Sequence, residues 1–157
     1  MATEMTNPAL AEVSFLVGDW EMTLARASFL PSKDDVVHGH VEFRPIEEGT
    51  LLAMRQGVEP PKPPAATWVI GRDESRDVYT VLYSDSRGVS RVYEMTLSNR
   101  EWRIWRENLE FSQRFEATVS ADHNEIMGRW EKCASDGAWE HDFNIAYTRE
   151  SPNRAVR

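Results

Sequence analysis

The stretch Phe15-Leu-Val-Gly-Asp-Trp-Glu-Met-Thr-Leu24 decides the fold of this chain. A short apolar lead-in ends at Gly18, and Trp20 then opens a segment in which apolar and polar residues alternate. Glycine permits a bend or a close approach of the backbone where a side chain would not fit. The Trp20 indole is large enough to close one end of a small β-barrel, so the stretch predicts the first strand of such a barrel.

The same alternation with a period of two residues continues along the chain, and it indicates strands. Turn-forming sequences rich in Pro, Gly, Asn, Asp and Ser separate the alternating segments. An antiparallel barrel or a sandwich of two sheets would both explain this pattern, but closure into a barrel also removes exposed strand edges. We therefore predict an all-β fold, a single antiparallel up-and-down β-barrel of about ten strands, at 17–26, 36–45, 50–58, 66–71, 77–84, 88–97, 101–107, 111–120, 124–132 and 138–149.

Three further segments complete the predicted domain, which spans residues 1–157. Residues 7–15 predict a short N-terminal helix that plugs one barrel end, with Asn7 as its cap and Pro8 at its first position. Pro60-Pro61-Lys62-Pro63-Pro64 is interpreted as a stiff loop between two strands; a peptide-recognition motif or an interdomain linker are the alternatives. The polar tail 151–157 is expected to be disordered.

Composition limits the classes of partner. The chain has 157 residues, of which 41% are hydrophobic, and a formal net charge of -8. This charge argues against a nucleic-acid groove and an anionic membrane surface, which both require a basic protein. No apolar run reaches the roughly 18 residues of a membrane span, and no signal-peptide pattern is visible. Cys133 is the only cysteine. We expect a cytoplasmic monomer or homodimer without nucleic-acid or membrane partners.

The alternation also sorts residues into faces, because successive side chains of a strand point to opposite sides. Most of the predicted inward residues are apolar or aromatic. They are Trp20/Met22/Leu24, Val37/Gly39/Val41/Phe43, Leu52/Met54/Gln56, Trp68/Ile70, Tyr79/Val81/Tyr83, Arg91/Tyr93/Met95/Leu97, Trp102/Ile104/Arg106, Gln113/Phe115/Ala117, Ile126/Gly128/Trp130 and Trp139/His141/Phe143/Ile145/Tyr147.

A few polar residues interrupt these apolar faces, as expected of a ligand cavity in which polar groups orient the bound molecule. The alternative is that these groups satisfy one another in a closed core. We take the cavity as the working hypothesis and expect a small, largely apolar ligand, with any anionic end met by Arg91 or Arg106. The candidate ligand-binding residues are Trp20, Met54, Gln56, Trp68, Tyr83, Arg91, Tyr93, Arg106, Gln113 and His141.

Few features of the sequence point to a metal-binding or catalytic function. A neutral imidazole at His141, between Trp139 and Phe143, could ligate a haem iron or accept a hydrogen bond. His38 and His40 share one strand face, but it is the predicted solvent face and no third ligand lies nearby, so we assign no metal site. No nucleophile elbow, phosphate-binding loop, dinucleotide fingerprint or zinc-protease motif is present, and no catalytic residue is assigned.

The chain resembles the calycin superfamily of lipocalin-like and fatty-acid-binding-protein-like barrels, and is most similar to a bacterial family of lipocalin-like domains of unknown function. The resemblance spans most of the chain and implies a single barrel without an established activity. It rests on the ordered segments Phe15-Leu-Val-Gly-Asp-Trp20, Tyr83-Ser-Asp-Ser-Arg-Gly-Val-Ser-Arg-Val-Tyr-Glu94, Gly128-Arg-Trp-Glu-Lys132 and Trp139-Glu-His-Asp-Phe-Asn-Ile-Ala-Tyr-Thr-Arg149.

A more distant resemblance is to nitrobindin-like haem barrels, which begin with Gly-x-Trp-x-Gly-x-Gly and carry an axial histidine in the last strand. Gly18 and Trp20 match, and His141 lies in a comparable place, whereas Met22 and Leu24 replace the later glycines. The main expectation is a non-enzymatic binding barrel. The alternatives are a haem-binding barrel using His141, and an enzyme in which His141 or a tyrosine acts as general acid or base on a small apolar substrate.

Overall fold

Strand pairing in the computed structural model runs in a closed ring. The structure describes residues 4–59, 65–134 and 137–150. In these ranges ten antiparallel strands form one closed barrel, in which each strand pairs with its sequence neighbours and β1 also pairs with β10. The strands are β1 Gly18–Ala25, β2 Val36–Ile46, β3 Leu51–Glu59, β4 Ala66–Asp73, β5 Val78–Asp85, β6 Ser90–Ser98, β7 Glu101–Arg106, β8 Phe111–Val119, β9 Glu125–Ala134 and β10 Trp139–Arg149.

The prediction of an all-β, up-and-down barrel with a short N-terminal helix is therefore confirmed. The helix is of the 3₁₀ type and spans Pro8–Leu16. Asn7 caps it, because its Oδ1 accepts a hydrogen bond from the Ala9 backbone N–H at 3.0 Å. No helix in the described ranges is both long and apolar enough to cross a bilayer. The predicted loop 60–64 and tail 151–157 lie outside the described residues.

The two ends of the barrel differ. The N-terminal helix covers the end at which β1 begins, and its side chains Leu10, Val13 and Leu16 are fully buried against the core. We call this the closed end. Because the strands alternate in direction, the opposite end carries the loops 26–35, 86–89 and 107–110, and we call it the mouth.

Trp20 and Arg149 hold the N-terminal helix against the barrel at the closed end. The fully buried Trp20 donates from Nε1 to the Leu16 carbonyl at 2.8 Å. The Arg149 guanidinium lies 4.2 Å from the centre of the Trp20 ring and donates to the carbonyls of Phe15 and Val17 at 2.5 and 3.1 Å. Gly18 has a φ of +134°, and a Cβ there would lie 3.1 Å from Arg149 Nη1. Gly18 therefore permits the bend and the close approach of Arg149, as predicted for a glycine at this position.

The predicted faces agree with the observed burial, except at the start of β10. A β-bulge between His141 and Phe143 shifts the register, so that His141 pairs with the outward Glu131 while Phe143 pairs with the inward Trp130. Trp139 and His141, both predicted to point inward, are therefore exposed on the outer surface. The prediction for these two residues is wrong because a bulge inserts one extra residue and inverts the alternation that precedes it.

We predict that Trp20→Ala lowers the free energy of unfolding by roughly 3–5 kcal/mol, the usual cost of emptying a buried aromatic site. Urea denaturation followed by far-ultraviolet circular dichroism measures it. The matched control is Trp139→Ala on the outer surface, for which we expect a loss below about 1 kcal/mol. Equal losses in the two variants would contradict the closing role of Trp20.

Candidate functional site in the barrel lumen

A cavity of about 630 Å³ occupies the lumen on the mouth side. Every described strand contributes at least one side chain to its wall, and the loop residues Phe29, Leu30 and Arg87 line the rim. The wall is mainly apolar and aromatic. It consists of Leu24, Val37, Gln56, Ala66, Trp68, Val81, Tyr83, Arg91, Tyr93, Ile104, Phe111, Gln113, Trp130, Asp142, Phe143, Ile145 and Tyr147.

The structure brings six of the ten candidate residues together around this cavity, namely Gln56, Trp68, Tyr83, Arg91, Tyr93 and Gln113. Four do not line it. Trp20 and Met54 are buried in the core toward the closed end. Arg106 lines a separate shallow concavity with Ile104, Trp105 and Gln113, and His141 is exposed on the outer surface. Whether the six bind a ligand stays a prediction.

Arg91, the second residue of β6, lies at the mouth. Its guanidinium carbon is 5.1 Å from the centre of the Phe111 ring. None of the ion pairs among the described residues includes Arg91. A half-buried guanidinium beside an aromatic wall and without a carboxylate partner is the strongest polar signal in the cavity.

Arg87 differs from Arg91 because a carboxylate of the protein already neutralises its charge. Asp85 accepts hydrogen bonds from Arg87 Nη2 at 2.7 Å and from the Tyr83 hydroxyl at 2.6 Å. These bonds hold the pKa of Asp85 well below its ordinary value, and the bond from Arg87 has the largest effect. Burial and the bonded Asp85 raise the pKa of Tyr83 to about 12. Tyr83 therefore stays protonated and neutral in the cavity wall at physiological pH.

Two other tyrosines line the cavity. The Tyr93 hydroxyl donates to Gln113 Oε1, and burial is the main cause that raises the pKa of Tyr93. Tyr147 is 3% exposed, and burial alone raises its pKa. Sequence reasoning placed Tyr147 on an inward face but did not include it among the candidate site residues.

Asp142 is a site residue that sequence reasoning missed. It is the extra residue of the bulge and is 7% exposed. Its Oδ1 accepts a hydrogen bond from Ser28 Oγ at 2.8 Å, and Lys132 Nζ lies 3.7 Å away. These contacts hold the loop after β1 at the rim, where the Phe29 ring packs edge-on against Phe143 at 5.8 Å. No local sequence signal distinguishes Asp142 from the outward acidic residues.

A haem iron held by His141 inside the lumen does not fit this arrangement. The His141 ring bonds to Asn144 Oδ1 at 2.7 Å on the outer surface. The chain has four histidines, and the other three also lie outside the cavity wall. They are His38, exposed on β2, His40 on the outer face of β2, and His123 in the turn after β8.

His40 belongs to an outer cluster with Asp19 and Glu42, whose ligand atoms lie within 4.8 Å of one another. Arg44 Nη2 lies 3.1 Å from Asp19 Oδ1 and 3.6 Å from Glu42 Oε2. Because this guanidinium already meets both carboxylates, the cluster has a complete explanation as an ion-pair network between β1 and β2.

A second concavity of about 630 Å³ lies on the outer surface across β7 to β10 and β1. Its sides carry charged residues such as Arg103, Glu116 and Arg129 beside the exposed Met127. Ligand sites are usually enclosed and mostly apolar. The lumen meets that description and the outer concavity does not, so the lumen is the better candidate.

The fold and the lumen define a class of protein, a small barrel closed by ten antiparallel strands among the described residues. No family model and no curated protein sequence matches the chain. Among solved structures, the crystal structure of Rv2717c from M. tuberculosis is similar, with a TM-score of 0.68 and 15% sequence identity. The match covers 92% of this chain and 98% of that chain. At this level of identity the similarity shows the fold alone.

We predict that Asp85→Asn makes the protein less stable at neutral pH and flattens the loss of stability in acid. The pKa of Asp85 is lowered in the folded state from 3.8. Its stabilising contribution is therefore present above that value and is lost as the pH falls from about 4 toward 2. Thermal unfolding at several pH values measures the difference.

The control for this experiment is Asp77→Asn, because Asp77 is a fully exposed carboxylate paired with Arg72. Exposed pairs contribute little, so the control should follow the wild-type pH profile. Parallel wild-type and Asp85→Asn profiles through the acid range would show that Asp85 is not held ionised by its contacts.

Proposed function

We propose that this chain is a non-enzymatic binding protein that holds one small, largely apolar molecule with an anionic end in the barrel lumen. The observation that carries the proposal is Arg91, a guanidinium at the mouth of an apolar cavity that makes no ion pair with the described residues. The proposal includes no reaction and no cofactor.

The size and walls of the cavity support the proposal. Its volume of about 630 Å³ lies within the range of roughly 300–1,000 Å³ that is common for small-molecule sites. Trp68, Val81, Ile104, Trp130 and Ile145 supply apolar walls. Covering these walls with an apolar molecule removes their surface from water, which is the main driving force for binding such ligands.

In this proposal, Arg91 fixes the orientation of the ligand in the cavity. A partly buried charge without a counter-ion is costly, and an anionic group offsets that cost with charge-assisted hydrogen bonds, bidentate where geometry allows. The other arginine on the rim, Arg87, is neutralised by Asp85. Arg106 does not line the cavity. The anion therefore belongs at Arg91 rather than at either of the other two arginines.

We place the chain, within this proposal, among the bacterial lipocalin-like domains that its sequence motifs resemble, and in the cytoplasm. The calycin-like fold supports the first point. The second is supported by the single cysteine, Cys133, because one thiol cannot form the internal disulfides that are common in oxidising compartments.

We predict that dodecanoic acid binds the wild-type protein and that Arg91→Met weakens its affinity by about tenfold or more. Hydrogen bonds to charged groups are worth roughly 1.5–3 kcal/mol, which corresponds to that factor. Titration followed by the fluorescence of the protein measures binding, because Trp68 and Trp130 line the cavity. The matched variant Arg106→Met should bind as the wild type does.

The methyl ester of dodecanoic acid is the ligand-side control, because it keeps the apolar body and removes the charge. Its affinity should not change between the wild type and Arg91→Met. The proposal is wrong if dodecanoic acid and aromatic carboxylates all fail to bind the wild type. If they bind but Arg91→Met and Arg106→Met have equal effects, Arg91 is not the anchor.

A further inference from the structure

We infer that the ligand of the lumen carries a second polar group, a hydroxyl or carbonyl oxygen at the far end of its apolar body, and that the Tyr147 hydroxyl binds this oxygen. The inference rests on the proposed function and narrows the ligand class. The expected ligand is then a molecule with a polar group at each end, and not a simple amphiphile with one anionic end.

Tyr147 is a buried polar side chain without a protein partner. It is 3% exposed and lines the cavity. Among the hydrogen bonds of residues 4–59, 65–134 and 137–150, none involves its hydroxyl, whereas Tyr83 and Tyr93 both donate to a partner. Burial is the only cause that shifts its pKa, which agrees with the absence of a bonded or charged neighbour.

Tyrosine hydroxyls in protein interiors normally have a hydrogen-bond partner. If Tyr147 served packing alone, phenylalanine would fill the same space without a hydroxyl that lacks a protein partner. The hydroxyl lies in the wall of a cavity, where a ligand oxygen can accept its hydrogen bond. The arrangement therefore fits a Tyr147 hydroxyl that donates its hydrogen bond to a ligand when the cavity is filled.

The position of Tyr147 places the second polar group at the inner end of the lumen. Tyr147 is the innermost of the β10 residues that line the cavity, four positions beyond Phe143. At roughly 3.3 Å per residue this is about 13 Å along the strand. Its ring lies 6.2 Å from that of Trp102, which is fully buried below the cavity.

Arg91 lies at the opposite end. It is the second residue of β6, at the mouth, and the walls between the mouth and Tyr147 include Val81, Ile104 and Ile145. A ligand that matches this order has an anionic group, an apolar body and then a hydrogen-bond acceptor. Long-chain ω-hydroxy and ω-oxo acids, and aromatic acids with a distal oxygen, have this chemistry.

The experiment compares dodecanoic acid with its ω-hydroxy derivative on the wild type, Tyr147→Phe and Tyr79→Phe. Tyr79 is the matched control because its hydroxyl is buried without a hydrogen-bond partner but does not line the cavity. Isothermal titration calorimetry gives the affinities. Thermal unfolding of each variant without ligand checks that the fold is retained.

We expect Tyr147→Phe to lower the affinity for the ω-hydroxy acid by roughly 2- to 10-fold, the factor for one neutral hydrogen bond, and to leave dodecanoic acid unchanged or more tightly bound. Tyr79→Phe should bind both acids as the wild type does. In the wild type the ω-hydroxy acid should not be the weaker ligand, although its hydroxyl must lose water to enter the cavity.

Two results would overturn the inference, and they separate it from the proposed function. If both acids bind, depend on Arg91 and lose the same factor in Tyr147→Phe, the Tyr147 hydroxyl does not recognise a distal oxygen, and the proposed function stands without it. If the wild type binds neither these acids nor aromatic carboxylates, the proposed function fails and the inference fails with it.

Discussion

Closure of the sheet between β1 and β10 is the constraint on which the rest of the structure depends. β1 pairs with β2 on one side and with β10 on the other, so residues more than a hundred positions apart share one hydrogen-bond ladder. Arg149 holds this junction. It covers the Trp20 ring and donates to the carbonyl groups of Phe15, Val17 and His123. Once the junction is closed, every inward side chain belongs to one interior.

Closure at one end also gives the lumen a direction. The N-terminal helix and Trp20 fill the closed end, and the cavity opens toward the loops at the mouth. The polar groups follow the same direction, with Arg91 at the mouth and Tyr147 at the inner end. Asp85 satisfies Arg87 and Tyr83, whereas Arg91 makes no ion pair among the described residues and no hydrogen bond there includes the Tyr147 hydroxyl.

The candidate site could be predicted in part. Alternation identified Gln56, Trp68 and Arg91 as inward residues, because period two is a property of one strand. It could not separate Arg91 from Arg106, since both have inward parity, whereas in the structure Arg91 lines the cavity and Arg106 lines a separate concavity. It also failed at His141, because the bulge at Asp142 depends on pairing with β9.

The sequence by itself determined the strands, their order, the turn positions and the capped helix at Asn7, because alternation and turn chemistry act between residues close in the chain. Tertiary structure decided which polar groups find partners. The Tyr93 hydroxyl meets Gln113 twenty residues away, and Ser28 meets Asp142 across the mouth. Tyr147 has the same chemistry as Tyr93 but no such neighbour among the described residues, and only the closed barrel reveals that difference.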